Sequence, residues 1–162
     1  MTVTDANRLD YTGAVYGSLL AASVVAGTSP RAAAATVAEL VGLLIATGVV
    51  FWLAHTYSRV VGDRRHGRRV DWTEIRTAAR GELPLAEAAV PPSAAAVVCW
   101  LFGLPDAVGA WAALGTALAA QCAWAIVADA KSRAAMPAIA VSVTVNLLLG
   151  LVIVALKVWL AH

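Results

Sequence analysis

The chain reads as an all-α, polytopic transmembrane bundle of about five spans. The N-terminus is expected inside and the C-terminus outside, with a short basic interfacial helix between the second and third spans. Three observations predict this. The 162 residues are 60% hydrophobic and only 14% charged, against about 45–50% and about 25% in soluble domains, and mean hydropathy is +0.76. Eleven of the 22 charged residues fall between Arg59 and Glu82, leaving long stretches elsewhere almost uncharged. Those stretches are about as long as a bilayer crossing, which takes about 20 apolar residues. A soluble domain, a disordered chain, a disulfide-stapled scaffold and a fibrous protein are excluded by the same pattern. Residues 1–162 are expected to form a single domain.

The first span is placed at residues 11–28, where no charge occurs and Pro30 follows. Arg8 ahead of an apolar run ending in small residues is also the pattern of a secretory signal; we expect a retained span. Gly13, Gly17 and Ala21 recur every four positions. Such a stripe lets helix backbones approach closely in lipid, either within the chain or between copies. The second span, 33–58, is expected to start at Ser29-Pro30, a cap followed by proline at the first helical position, and to close at Arg59. The third, 83–104, lies between Glu82 and Pro105-Asp106. The fourth, 107–128, takes Asp106 as its cap and ends before Asp129, Lys131 and Arg133. The fifth, 135–157, carries no charge until Lys157.

Orientation follows from the basic residues. With the N-terminus inside, the inner segments hold ten Lys and Arg residues and the outer segments hold two, Arg31 and Lys157, as the positive-inside bias requires. A re-entrant third run would place the basic loop and Lys131/Arg133 on different faces and is disfavoured. The cytoplasmic loop 59–82 has its own pattern. Asp71 and Glu74 resemble a capping box, and Trp72, Ile75 and Ala79 share one face. Arg64, Arg65, Arg68 and Arg69 precede this helix, and Arg76 and Arg80 lie on it. Trp at headgroup depth with Arg reaching phosphates is a lipid-binding arrangement, so anionic lipid is the expected partner and nucleic acid is not. The plain alternative is that these charges only set topology.

Polar side chains within spans are expensive and usually face the bundle interior. Glu39, His55, Glu87, Gln121 and Asn146 are the candidates for an ion or proton path. His55 and Glu87 fall at similar depth on sequential helices, which suggests an ion pair, a shared proton, or a hydrogen bond that fixes two helices. Pro91 and Pro92 lack the N–H groups that would bond the carbonyls of Glu87 and Ala88. The freed carbonyls beside a carboxylate could hold a cation or water, or form a kink capped by Ser93 or Gln121. Cys99 and Cys122 have no metal-ligand spacing. No phosphate-binding, nucleophile-elbow or metalloprotease motif occurs, so neither catalytic residues, a cofactor nor a metal is expected, and we expect no enzyme.

The segments Val15–Ser23 (VYGSLLAAS), Phe51–Gly62 (FWLAHTYSRVVG), Glu87–Ala95 (EAAVPPSAA) and Asn146–Lys157 (NLLLGLVIVALK) resemble small integral membrane proteins common in high-GC Gram-positive bacteria. The resemblance implies a multi-pass location in a bacterial plasma membrane and no particular activity. The function expected first is a homo-oligomeric channel or ion- or proton-coupled transport protein using the candidate path; the alternative is a non-transporting accessory or scaffolding module binding anionic lipid or a protein through the arginine loop.

Overall fold

The structure, a computed structural model, describes residues 3–28, 35–64, 71–131 and 136–161. The described residues form seven helical segments joined by short turns: α1 (Val3–Gly27), α2 (Val37–Arg64), α3 (Trp72–Gly81), α4 (Leu83–Glu87), α5 (Val90–Leu101), α6 (Asp106–Lys131) and α7 (Met136–Ala161). Four stretches are long and apolar enough to cross a membrane: Val37–Gly62, Trp72–Leu101, Asp106–Lys131 and Ile139–Leu156. The apolar part of α1, Tyr11–Gly27, is shorter. It lies at the lower limit for a crossing, so the expected five spans become four full-length ones and one short one.

The centre of the bundle is made from small side chains. Ala22, Ala96, Ala113 and Ala117 are fully buried, with Leu40, Leu44 and Leu114 nearly so. Lipid tails are as apolar as leucine, so helices here associate by close packing rather than by escape from water. Helix α6 occupies the middle and packs against α1, α5 and α7. Its Gly109 approaches the Ala96 backbone of α5, where an added Cβ would sit 3.5 Å from the Ala96 carbonyl oxygen and 3.4 Å from Val37 Cγ2. The outer faces of α2 and α7 expose Leu43, Ile45, Val50, Leu53, Leu148, Leu151 and Val152, the residues expected against acyl chains.

The expected third span is not one straight helix. It breaks at Ala88–Ala89 into α4 and α5, and a turn at Glu82 separates α4 from α3 ahead of it. Pro84 opens α4, and Pro91 and Pro92 occupy the first turn of α5, where missing N–H groups cost least. Glycines on two helices grip the broken segment from either side. A Cβ on Gly17 of α1 would lie 2.6 Å from the Leu85 carbonyl oxygen and 2.8 Å from Ala88 Cβ. On Gly48 of α2 it would lie 3.3 Å from the Ala86 oxygen and 3.4 Å from Ala89 Cβ. The Gly13/Gly17/Ala21 stripe is therefore an intrachain contact. Gly17 and Ala21 are buried, and Gly13 lies in ordinary contact distance of Leu85 and Pro84.

Several expected boundaries move. Residues 35–36 are not helical and the described α2 starts at Val37; the expected Ser29-Pro30 start lies outside the described residues. The cap is Thr36, whose N–H and hydroxyl both donate to Glu39 Oε2 at 2.9 Å while its Oγ1 accepts from the Glu39 N–H at 3.3 Å. This is a reciprocal capping box. Helix α5 ends at Leu101 in a Schellman motif, with Leu104 N donating to Cys99 O at 3.1 Å and Gly103 N to Trp100 O at 2.9 Å. Gly103 supplies the required positive φ of 69°. The cap position of α6 falls to Pro105, whose carbonyl accepts from Val108 and Gly109; Asp106 is the first helical residue rather than the cap.

The short helix expected between the second and third spans appears as α3. Asp71 caps it, but its carboxylate accepts from Trp72 N at 2.7 Å, and the Glu74 side chain does not reach back. Among the described residues the Asp71/Glu74 capping box is therefore absent. Trp72 is 75% exposed, Arg76 and Arg80 are exposed, and Ala78 is buried on the face toward the bundle.

Candidate functional site

The candidate path residues do not meet in one place. Glu39 closes the capping box of α2, a local role that explains its position at the start of an apolar helix. His55 is half-buried on α2; its Nδ1 lies 3.0 Å from the Phe51 carbonyl oxygen and its ring packs 5.7 Å from the ring of Tyr16. Glu87 is exposed, and among the described residues it forms no hydrogen bond or ion pair. The proposed His55–Glu87 pair is therefore not formed. Glu87 instead borders a cleft shared by α1, α4, α5 and α6, while His55 faces Tyr16.

Gln121 and Asn146 do meet. Gln121 Nε2 donates to Asn146 Oδ1 at 2.9 Å, and Asn146 Nδ2 donates to the Ser142 carbonyl at 2.9 Å. Gln121 is 1% exposed and its Oε1 has no partner. The two amides join α6 to α7. The kink carbonyls are not capped as expected either: Ser93 Oγ is buried without a partner, and the donor group of Gln121 is taken by Asn146.

Contacts missed at the level of sequence gather at the end of the bundle that carries the basic loop. Arg59 Nη1 donates to Glu82 Oε1 at 2.7 Å, with side chains 27% and 16% exposed. The ion pair ties the end of α2 to the break between α3 and α4. Trp52 Nε1 donates to the Ala79 carbonyl at 2.7 Å, fixing α3 against α2. Both partners of the ion pair had been legible as span boundaries; their pairing needs the return of the chain through α3.

The cleft beside Glu87 has a volume of about 260 Å³ and is lined by Tyr11, Ser18, Pro84, Pro91, Ala120 and Trp124, among others. Tyr11 and Trp124 rings lie 6.0 Å apart. Lys131 donates to the Tyr11 hydroxyl and its ammonium sits 4.8 Å from the Tyr11 ring centroid. The Ser18 hydroxyl donates to the Ala14 carbonyl at 2.8 Å. The cleft thus brings one carboxylate and two aromatic rings together, and one of the rings, Tyr11, also holds an ammonium group. Among the described residues no three His, Cys, Asp or Glu side chains gather as a metal site, and Cys99 and Cys122 are free and half-buried.

Of the arginine segment, Arg76 and Arg80 lie exposed on α3. Arg65, Arg68 and Arg69 lie outside the described residues, as does the side chain of Arg64. The geometry and the apolar helices define a small multi-helix membrane protein. Comparison with known protein families, with characterised proteins and with solved structures finds no match.

Proposed function

We propose that the chain is a non-conducting membrane module of a bacterial plasma membrane, N-terminus inside and C-terminus outside, that engages anionic lipid through its arginine-rich segment. The observation that carries this reading is how the polar side chains between helices are used. Gln121 and Asn146 bond each other, Arg59 pairs with Glu82, and Ser18 bonds its own helix. The centre between them is closed by alanines that are fully buried. Such groups fix helix positions, and a conduit through one copy would need a continuous polar lining. On the proposed inner face, a basic residue near an anionic surface contributes about 1 kcal/mol. Replacing Arg64, Arg65, Arg68 and Arg69 together by Gln should therefore remove most of the phosphatidylglycerol enrichment around the protein, read by native mass spectrometry from mixed-lipid nanodiscs. Unchanged enrichment would contradict the reading.

A second reading rests on Glu87. A carboxylate exposed on the flank of a span is what another copy of the chain would cover in a homo-oligomeric channel or an ion- or proton-coupled transport protein. In that case His55 and Glu87 would act on the permeating species and the Gln121–Asn146 pair would line the route only after separating.

A further inference from the structure

We infer that the lateral cleft beside Glu87 is a binding site for the headgroup of a zwitterionic phospholipid bearing a primary amine. A lone carboxylate on the lipid-facing side of a span is costly unless something neutralises it. Glu87 has no partner among the described residues, and it lies five residues beyond Glu82, roughly 7 Å further along the helical segment. An occupant must therefore bring positive charge from the membrane. Backbone acceptors beside the cleft would suit a group with several N–H donors. The carbonyls of Glu87 and Ala88 lack their usual helical partners because residues 91 and 92 are prolines, and both residues line the cleft. A primary ammonium carries three donors.

Three further features narrow the occupant. The volume of about 260 Å³ falls below the range of about 300–1,000 Å³ that encloses drug-sized molecules, so a headgroup fits better than a large solute. Lys131 donates to the hydroxyl of Tyr11, which lines the cleft, and would supply the point charge that binds phosphate. A carboxylate in the cleft and an ammonium bound to one of its lining residues are the two charges that an aminoethyl phosphate would pair with in reverse. A quaternary amine is disfavoured: it has no N–H donors, and the Tyr11 ring that would receive it already carries the Lys131 ammonium. The site uses none of the loop arginines and stands independently of the anionic-lipid reading.

The test is lipid competition on the full chain in nanodiscs, with phosphatidylethanolamine, phosphatidylcholine and phosphatidylglycerol of matched acyl chains, followed by native mass spectrometry. One phosphatidylethanolamine should be retained about tenfold more tightly than either of the others, the order expected of one charge-assisted contact. Glu87→Gln should abolish that preference. Lys131→Gln should weaken retention of the bound phosphatidylethanolamine while leaving the preference for an amine over a quaternary amine. Aqueous phosphoethanolamine should fail to displace the lipid, since its acyl chains contribute to the contact. Equal retention of all three lipids by the wild type would overturn the assignment. So would a preference that survives Glu87→Gln, or cross-linking that places Glu87 between two copies of the chain.

Discussion

Gly17→Ala should be the most damaging single-methyl change among the glycines of the bundle. The added Cβ would meet the Leu85 carbonyl oxygen at 2.6 Å, Ala88 Cβ at 2.8 Å and Leu85 Cα at 3.1 Å. Two of these atoms are backbone, so neither can turn away, and α1 must separate from α4. Overpacking costs about 1–3 kcal/mol, and rigid backbone on the far side puts this site at the upper end. A gain of about 1 kcal/mol in helix propensity opposes it, leaving a net loss of about 2 kcal/mol, a factor of about 30 in the folding equilibrium. Other glycines calibrate the number. Gly48→Ala meets its nearest atoms at 3.3 and 3.4 Å and should fall near neutral; Gly13→Ala meets nothing closer than 3.7 Å, and Gly42→Ala nothing within 4 Å. The last two should be neutral or slightly stabilising. The assay is reversible unfolding in mixed micelles on titration with dodecyl sulfate, followed by tryptophan fluorescence at two protein concentrations. Because the contact is within the chain, the loss at Gly17 should not depend on concentration. Equal stability of Gly17→Ala and Gly42→Ala, or a loss that grows on dilution, would refute the packing argument.

Three other outcomes follow from named contacts. A double-mutant cycle with Gln121→Leu and Asn146→Leu should give a coupling of about 0.6–1.7 kcal/mol, the range for interhelical hydrogen bonds in membranes; a value near zero would mean the amides do not hold α6 to α7. The same cycle with Arg59→Gln and Glu82→Gln should give about 1 kcal/mol, above a fully exposed pair because both side chains are largely shielded. Thr36→Val should cost about 1 kcal/mol through loss of the cap, and Glu39→Gln should cost less, because an amide oxygen can still accept from Thr36; equal losses at both positions would show that the charge, rather than the hydrogen bond, sustains the box.

Much of the architecture was legible because a bilayer constrains sequence strongly. Uncharged runs of span length and the clustering of Arg between Arg59 and Glu82 are the signal, and helix α3 was visible in the Trp72–Arg80 pattern. The Thr36-x-x-Glu39 box was equally present in the sequence, yet the Ser29-Pro30 pair offered a competing start and masked it. The two breaks around α4 were half legible: proline positions show where N–H groups are missing, but not which neighbours accept the kink. That depended on Gly17 and Gly48 lying on either side of Leu85–Ala89, a tertiary fact. The candidate site fared differently. Depth along the chain placed His55 and Glu87 at one level, but depth does not fix rotation about a helix axis, and the break at Ala88–Ala89 turns Glu87 toward α1 and α6. The Gln121–Asn146 contact, by contrast, joins adjacent antiparallel helices, where equal depth suffices to bring two side chains together.

Ion and proton flux in proteoliposomes under an imposed pH gradient and potential separates polar groups that only fix helices from polar groups that open a route. Wild type and Glu87→Gln, both folded by circular dichroism, should leak no faster than protein-free vesicles. Flux through the wild type that Glu87→Gln abolishes would contradict the non-conducting reading and place a conduction route at Glu87.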